Sequence, residues 1–382
     1  MKGESEPPGV PSAPPAGPAG PPGPAFYVLF AILAALTAWP VLKWEFVTAV
    51  DYPAHISIVR VLRLAFEDPS LFRDTFGTRL LQPYWGFYLP VLALSALVPL
   101  DLAGKLAAAG IILMIPVALL VLARAEGVDP RVSLAGFPLA HSFSAFFGFH
   151  SFLAGTGIAL LGLVPALSFV RTRSARSLAA LHAASLLVFL AHATAWGFFL
   201  GWTGWILLAA RPRLRAGALL RAGSAFVLPA VLMLLWNGSV ESSGTLKWMR
   251  EHPVDTPLPD RLADLAHIAF PAFAPGAEAA LLAFFLVLLG LLALSGRGPD
   301  GGVRTARWLG MAGWMAAAYF VVPHQFLGLN FAYERTLLFA LLFPLLAAAP
   351  RLKFPKVFAV SAAVLAAGSA LSADEMARAF NA

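Results

Sequence analysis

From Ala25 onward the chain is a succession of apolar runs of roughly 16–22 residues, the length of helix that crosses a hydrocarbon core. Backbone inside lipid must satisfy its own N–H and C=O groups, and a helix does so within one segment. The expected fold is therefore all-α, that of a polytopic integral membrane protein. Charged residues make up only 12% of the 382, against about 25% in soluble domains, and 59% are hydrophobic. The runs fall at about 25–42, 86–101, 104–123, 150–170, 177–193, 195–210, 218–236, 278–295, 307–323, 336–349 and 356–372, which predicts about 11 transmembrane helices.

Residues 1–24 carry nine prolines and five glycines and no apolar periodicity. They are expected to be a disordered cytoplasmic tail. The transmembrane domain is expected over 25–372, followed by a short tail at 373–382. The first run is long and lacks a small-residue cleavage site, so it reads as a retained first helix. There are no cysteines, which excludes disulfides, thiol chemistry and cysteine metal sites. The net charge of +7 fits basic loops beside a membrane better than a nucleic-acid partner.

The basic residues fix an orientation. Arg171/Arg173/Arg176, Arg211/Arg213/Arg215, Arg297/Arg304/Arg307 and Arg351/Lys353/Lys356 recur every second loop with few acids among them. The positive-inside rule places all four groups in the cytoplasm. With the N-terminus also inside, segment 131–149 must enter and leave on one face. The turn-forming sequence Phe146-Phe147-Gly148-Phe149-His150 suits a re-entrant segment buried by protein. Loops 44–85, 237–277 and 324–335 then share the outer face with His150 and the C-terminus. Within the first loop, Ile56, Val59, Leu62 and Phe66 recur at helical spacing, with Arg60, Arg63 and Glu67 on another face. That is the pattern of an interfacial amphipathic helix. Tyr84 and Trp85 mark the next membrane boundary.

The candidate chemistry lies in those outer loops. In Asp51-Tyr52-Pro53-Ala54-His55 the acid and the imidazole are four apart, on one face of a helix. Asp51 is a candidate general base, and Asp51 with His55 a candidate divalent-metal site. Asp51 before Pro53 is equally a good helix N-cap. Asp74 is a second candidate acid, with pairing to Arg73 as its plainer role. Arg335, which opens a span, is a candidate phosphate ligand, and pairing with Glu334 is its alternative. His324 is placed to join it. Arg60, Tyr84 and His150 complete the candidate substrate-binding set. Phosphate-binding glycine loops, dinucleotide fingerprints and the serine-hydrolase elbow are absent from the sequence.

The layout resembles the GT-C superfamily of membrane glycosyltransferases, which use sugars carried on polyprenyl phosphate. Asp51-Tyr52-Pro53-Ala54-His55 is similar to the Asp-x-Pro-x-His opening of uncharacterised bacterial members. Phe147-Gly148-Phe149-His150-Ser151-Phe152-Leu153-Ala154-Gly155 is similar to a Gly-Phe-x-x-Phe-x-x-Gly stretch of the same group. The resemblance implies Asp51 as catalytic base or metal-side acid, and Arg335 as a contact for the lipid phosphate. It implies sugar transfer with inversion at the outer face of a bacterial inner membrane, with a lipid-linked sugar donor and membrane lipids as partners. Two features depart from the family. The second acid has no defined place here, and the large soluble domain that many members carry after their spans is expected to be absent. The other function classes open to such a sequence are a transporter or lipid flippase without chemistry, and a non-catalytic lipid-binding relative. A transporter would place ionisable residues mid-span along a path.

Overall fold

The computed structural model describes residues 22–68, 70, 82–240, 256–272, 274, 276–295, 301–325, 330–348 and 351–382, with 238–240 and 301 described for their backbone only. Asp74 and the tail at 1–21 lie outside the described residues. Among the described residues every regular element is a helix. Five helices are long and apolar enough to cross a membrane: α1 (Pro24–Lys43), α4 (Leu100–Ala125), α5 (His150–Thr172), α8 (Ala216–Asn237) and α13 (Pro355–Phe380). This is compatible with an integral membrane protein. Shorter helices complete the bundle: α2 (Tyr52–Glu67), α3 (Trp85–Ser95), α6 (Ala175–Ala191), α7 (Ala193–Leu208), α9 (Leu258–Ala269), α10 (Ala277–Ala293) and α12 (Glu334–Leu346). The arginine-bearing helix α11 (Gly301–Val321) stands between α10 and α12.

Side-chain contacts give the helix directions. Tyr27, at the start of α1, bonds Arg124 at the end of α4. Just past the other end of α1, the Trp44 carbonyl accepts from Lys105 Nζ at 2.6 Å. The two helices are therefore antiparallel. Arg171, at the end of α5, donates to the Ala125 carbonyl at 2.7 Å, and His150, at its start, meets Tyr52 with ring centroids 5.8 Å apart. Hence α5 runs in the same direction as α4, and the chain between them must return from one end of the bundle to the other.

That return corrects the expected re-entrant turn at 131–149. The segment rises through the bundle in three short pieces, a 3-10 helix at Pro130–Ala135 and helices at Gly136–Leu139 and Phe143–Phe147. At one end Asp129 accepts from the Leu352 amide. Midway, Gly136 lies against Pro116 so closely that a β-carbon would sit 2.8 Å from the Pro116 α-carbon, and Pro138 O accepts from Ser369. At the other end Phe146 O accepts from Val50 N. A broken helix is tolerated there because protein buries it on all sides.

A second correction lies earlier in the chain. The run at 86–101 yields only α3, whose 11 residues rise about 16 Å, half a hydrocarbon thickness. It forms a hairpin with the start of α4. Segment 130–147 runs the length of the bundle and α3 does not, so Arg171 lies at the same end as the close of α4.

The end of the chain is also more ordered than a tail. Helix α13 continues to Phe380, past the expected stop at 372. Asp374 accepts from Lys43 Nζ at 3.0 Å and Trp44 Nε1 at 2.7 Å. Asn381 exchanges hydrogen bonds with both the N–H and the C=O of Phe46. These contacts anchor the connection 44–50 that presents Asp51.

At the opposite end, Glu126 is buried. It accepts from Arg171 at 2.7 Å, from Trp308 Nε1 at 3.0 Å and from Arg307. One carboxylate thereby joins the ends of α4 and α5 to α11. Between the two ends the bundle is filled by aromatics. Trp202 lies 4.6 Å from Phe339, and Trp308 5.7 Å from Phe343.

Candidate functional site

Helix α2 begins where the sequence places it, with Asp51 at the N-cap position and Pro53 in the first turn. Tyr52, Ile56, Val59 and Leu62 form its buried face, and Phe66 is exposed. The Asp51 side chain makes no capping hydrogen bond. Its main chain is held from elsewhere: Asp51 N donates to Phe147 O at 3.0 Å. The pairing requires Gly148, whose φ of +93° is the left-handed region and whose β-carbon would lie 3.0 Å from Asp51 N. The result is a half-buried carboxylate at a helix N-terminus, fixed by its backbone and with no hydrogen bond or ion pair among the described residues.

His55 does not turn to Asp51 as a paired ligand would. Its Nδ1 lies 3.0 Å from Tyr88 Oη, and the Gly148 carbonyl takes a hydrogen bond from the same ring. Burial lowers the His55 pKa, opposed by the Asp51 charge and by the Gly148 bond. Burial, reinforced by Tyr84 and Asp51, pushes the Tyr88 phenol up to about 12. Tyr88 therefore stays protonated and donates to a neutral imidazole. The imidazole sets the entry of α2, and through it the position of Asp51. Among the described residues no three His, Asp or Glu side chains come together to hold a metal ion. The Asp51–His55 pair, with its imidazole already engaged, is a poor donor set for a divalent cation.

Arg335 opens α12 and reaches the same region. Only 6% exposed, its guanidinium stands 4.1 Å from the Phe149 ring centroid and 4.8 Å from that of Phe152. Its Nε and Nη1 are buried with no hydrogen-bond partner. Glu334, the expected alternative partner, is taken instead by His324, whose Nδ1 is 2.6 Å from Glu334 Oε1. Arg335 senses the charges of Tyr84, Glu334 and Asp51, in that order, so the four share one electrostatic neighbourhood. Burial raises the Tyr84 pKa, and Arg335 partly counters it. The Tyr84 ring meets His192 edge-on at 4.9 Å, and its carbonyl accepts from Ser151 Oγ at 2.9 Å.

Other candidates fall elsewhere. The His150 ring stacks on Phe87 at 4.9 Å. Its unpartnered Nδ1 faces a cavity of about 40 Å³ behind the Asp51 loop, where Thr48 Oγ1 and His141 Nε2 are also unpartnered. That volume holds a few waters, and those polar atoms need them. Arg60 is exposed on α2. His324 serves Glu334 and also meets Phe331 at 4.7 Å.

Phe149 and Phe152 lie in the motif noted in the sequence, without a role assigned there; nothing in the sequence pointed to Tyr88, and no spacing links it to His55, 33 residues away. Phe331 is a further member. Its φ is +57°, uncommon for a bulky residue, and it meets Phe147 at 4.3 Å and both Phe143 and Phe149 at 5.6 Å. Phe149 links this ring cluster to the Arg335 guanidinium. A buried cation without a hydrogen-bonded partner, within the electrostatic reach of a carboxylate likewise unbonded, can bind an anion and deprotonate a neighbouring hydroxyl. No protein-family model matches the chain, and neither a curated protein nor a solved structure is significantly similar to it.

Proposed function

We propose that this chain is a membrane glycosyltransferase of the GT-C type. In this reading it transfers a sugar from a polyprenyl-phosphate carrier to an acceptor hydroxyl. The observation that carries the reading is Asp51 and Arg335 together, each without a hydrogen bond or ion pair of its side chain among the described residues, with the Asp51 charge felt at Arg335. The donor enters sideways from the bilayer and its phosphate sits on the Arg335 guanidinium. Asp51 takes the acceptor's proton, the acceptor oxygen attacks the anomeric carbon from the face opposite the phosphate, and the C–O bond to the lipid phosphate breaks. Arg335 holds the charge that develops on the leaving phosphate. The product is inverted at the anomeric carbon.

The chain crosses the membrane eleven times in this reading: by α1, α4, the broken segment 130–147, α5, α6, α7, α8, α10, α11, α12 and α13. The arginine-rich end is cytoplasmic, and Asp51 faces the outer side of a bacterial inner membrane. Transport without chemistry is less well supported. Asp51, His55, Tyr84, Tyr88 and Arg335 gather at one end, and aromatic side chains fill the middle, where a transport path would need polar groups. The test is mass spectrometry of lipid-linked sugars and surface glycans in cells with and without the protein. A polyprenyl-phosphate sugar is expected to accumulate, and one glycan to lose a residue, when the protein is absent. Unchanged pools in both would overturn the proposal.

A further inference from the structure

Helices α7 and α11 interlock through two tryptophans laid on glycines. Trp205 covers Gly310, and Trp314 covers Gly201. Trp205 also donates from Nε1 to the Arg307 carbonyl at 2.9 Å. Beyond this lock, toward the arginine-rich end, the two helices part. The gap is a groove of about 450 Å³, with Trp205, Leu208, Val303 and Ala306 on its walls and Arg211 at its mouth. Its apolar rim is left uncovered: Leu208 is 69% exposed and Val303 47%.

Among the described residues the charge around the mouth is mostly basic. Arg211, Arg213 and Arg215 follow the end of α7, and Arg304 and Arg307 lie on the first turns of α11. Among the described residues the nearby acid is Glu126, which is buried and already bonded to Arg171, Arg307 and Trp308. Arg211 is exposed, and it spends one donor on the adjacent Ala210 carbonyl at 3.1 Å, which leaves the rest of its fork available. An apolar cleft between helices that opens beside the exposed Arg211 guanidinium is complementary to one chemical class, an acyl-chain anion.

We infer that this groove binds an anionic glycerophospholipid, with its phosphate on Arg211 and its acyl chains along Leu208, Val303 and the Trp205 edge. Basic pockets between helices at a cytoplasmic membrane face are sites for such headgroups. The inference rests on the membrane reading and is independent of the glycosyltransferase proposal, since the groove lies at the far end of the bundle from Asp51. A bound lipid would wedge α7 against α11 and complete the apolar surface that the groove interrupts.

The test is native mass spectrometry of the delipidated full-length protein in detergent, offered equal amounts of phosphatidylglycerol and phosphatidylcholine. The expected result is one retained phosphatidylglycerol in clear preference to phosphatidylcholine. Arg211→Gln should weaken that retention about fivefold, the worth of one basic side chain at an anionic surface. Arg176→Glu, an exposed charge change at the same end but outside the groove, should leave it unchanged. Ala306→Trp should fill the groove and remove the lipid, and excess inorganic phosphate should not displace it. Equal retention of the two lipids, or retention untouched by both Arg211→Gln and Ala306→Trp, would overturn the proposal. Displacement by inorganic phosphate would do the same, by reducing the site to one for a free ion.

Discussion

The Arg335 guanidinium stands 4.1 Å from the centroid of the Phe149 ring, and its Nε and Nη1 have no hydrogen-bond partner. A cation held in that way is costly in the folded state and useful to an arriving anion. Function and stability should therefore separate at this position. Arg335→Met is expected to leave the melting temperature unchanged or higher, because it removes an uncompensated buried charge. The same change should lower transfer by roughly 10–100-fold, the worth of a charge-assisted hydrogen bond to phosphate. Thermal unfolding in detergent beside an activity assay checks both.

Glu126 should behave in the opposite way. Its buried carboxylate satisfies Arg171, Arg307 and Trp308 at once. Glu126→Ala strands those donors and should cost roughly 3–5 kcal/mol, as does removal of one partner from a buried ion pair. Thermal or denaturant unfolding of the purified variant gives the number. The Asp51 end should keep its structure in whatever fraction remains folded.

The His55 pKa is lowered in the folded state, chiefly by burial. A group depressed in this way contributes stability that is fully present above its unfolded value of about 6.5. That stability is lost as pH falls toward the folded value. Stability is therefore expected to be level above about pH 6.5 and to decline below it. His55→Gln should flatten that decline, and Tyr88→Phe, which removes the donor to Nδ1, should cost about 1 kcal/mol at neutral pH. Unfolding curves across the pH range decide the matter.

Gly148 is the hinge of the Asp51 loop. Gly148→Ala forces a side chain into left-handed backbone and against Asp51 N at 3.0 Å. The strain alone is about 1–2 kcal/mol. Activity should fall further than that loss predicts, because the change acts on the position of the carboxylate. A comparison of kcat with melting temperature separates the two effects.

The helical class was legible from apolar runs alone, because lipid-length segments admit one solution for their backbone. The site was legible in part. Asp51 and Arg335 stand out because charges at span ends are scarce. Their convergence was not readable, since it depends on Gly148, Phe149 and the return of segment 130–147 through the bundle. That segment was hard to read because its prolines and glycines break the helix into three short pieces while it still runs from one end of the bundle to the other. The run at 86–101 misled in another way: its composition is that of a span, but the turn at 96–99 cuts the helix to 11 residues. His55 was read as a partner of Asp51 from spacing, and the structure gives it to Tyr88, a tertiary choice that no local pattern encodes.

The decisive experiment replaces Asp51 by Asn in a cell that lacks the native copy, with lipid-linked sugars and glycans read by mass spectrometry. Asn keeps the size and the helix-start geometry of Asp but cannot take the acceptor's proton. If Asp51 is the base, the variant inserts, melts and accumulates like the parent, while transfer is abolished and donor builds up as in cells without the protein. Glycan transfer at the parental level by a normally folded Asp51→Asn chain would show that Asp51 is not the base.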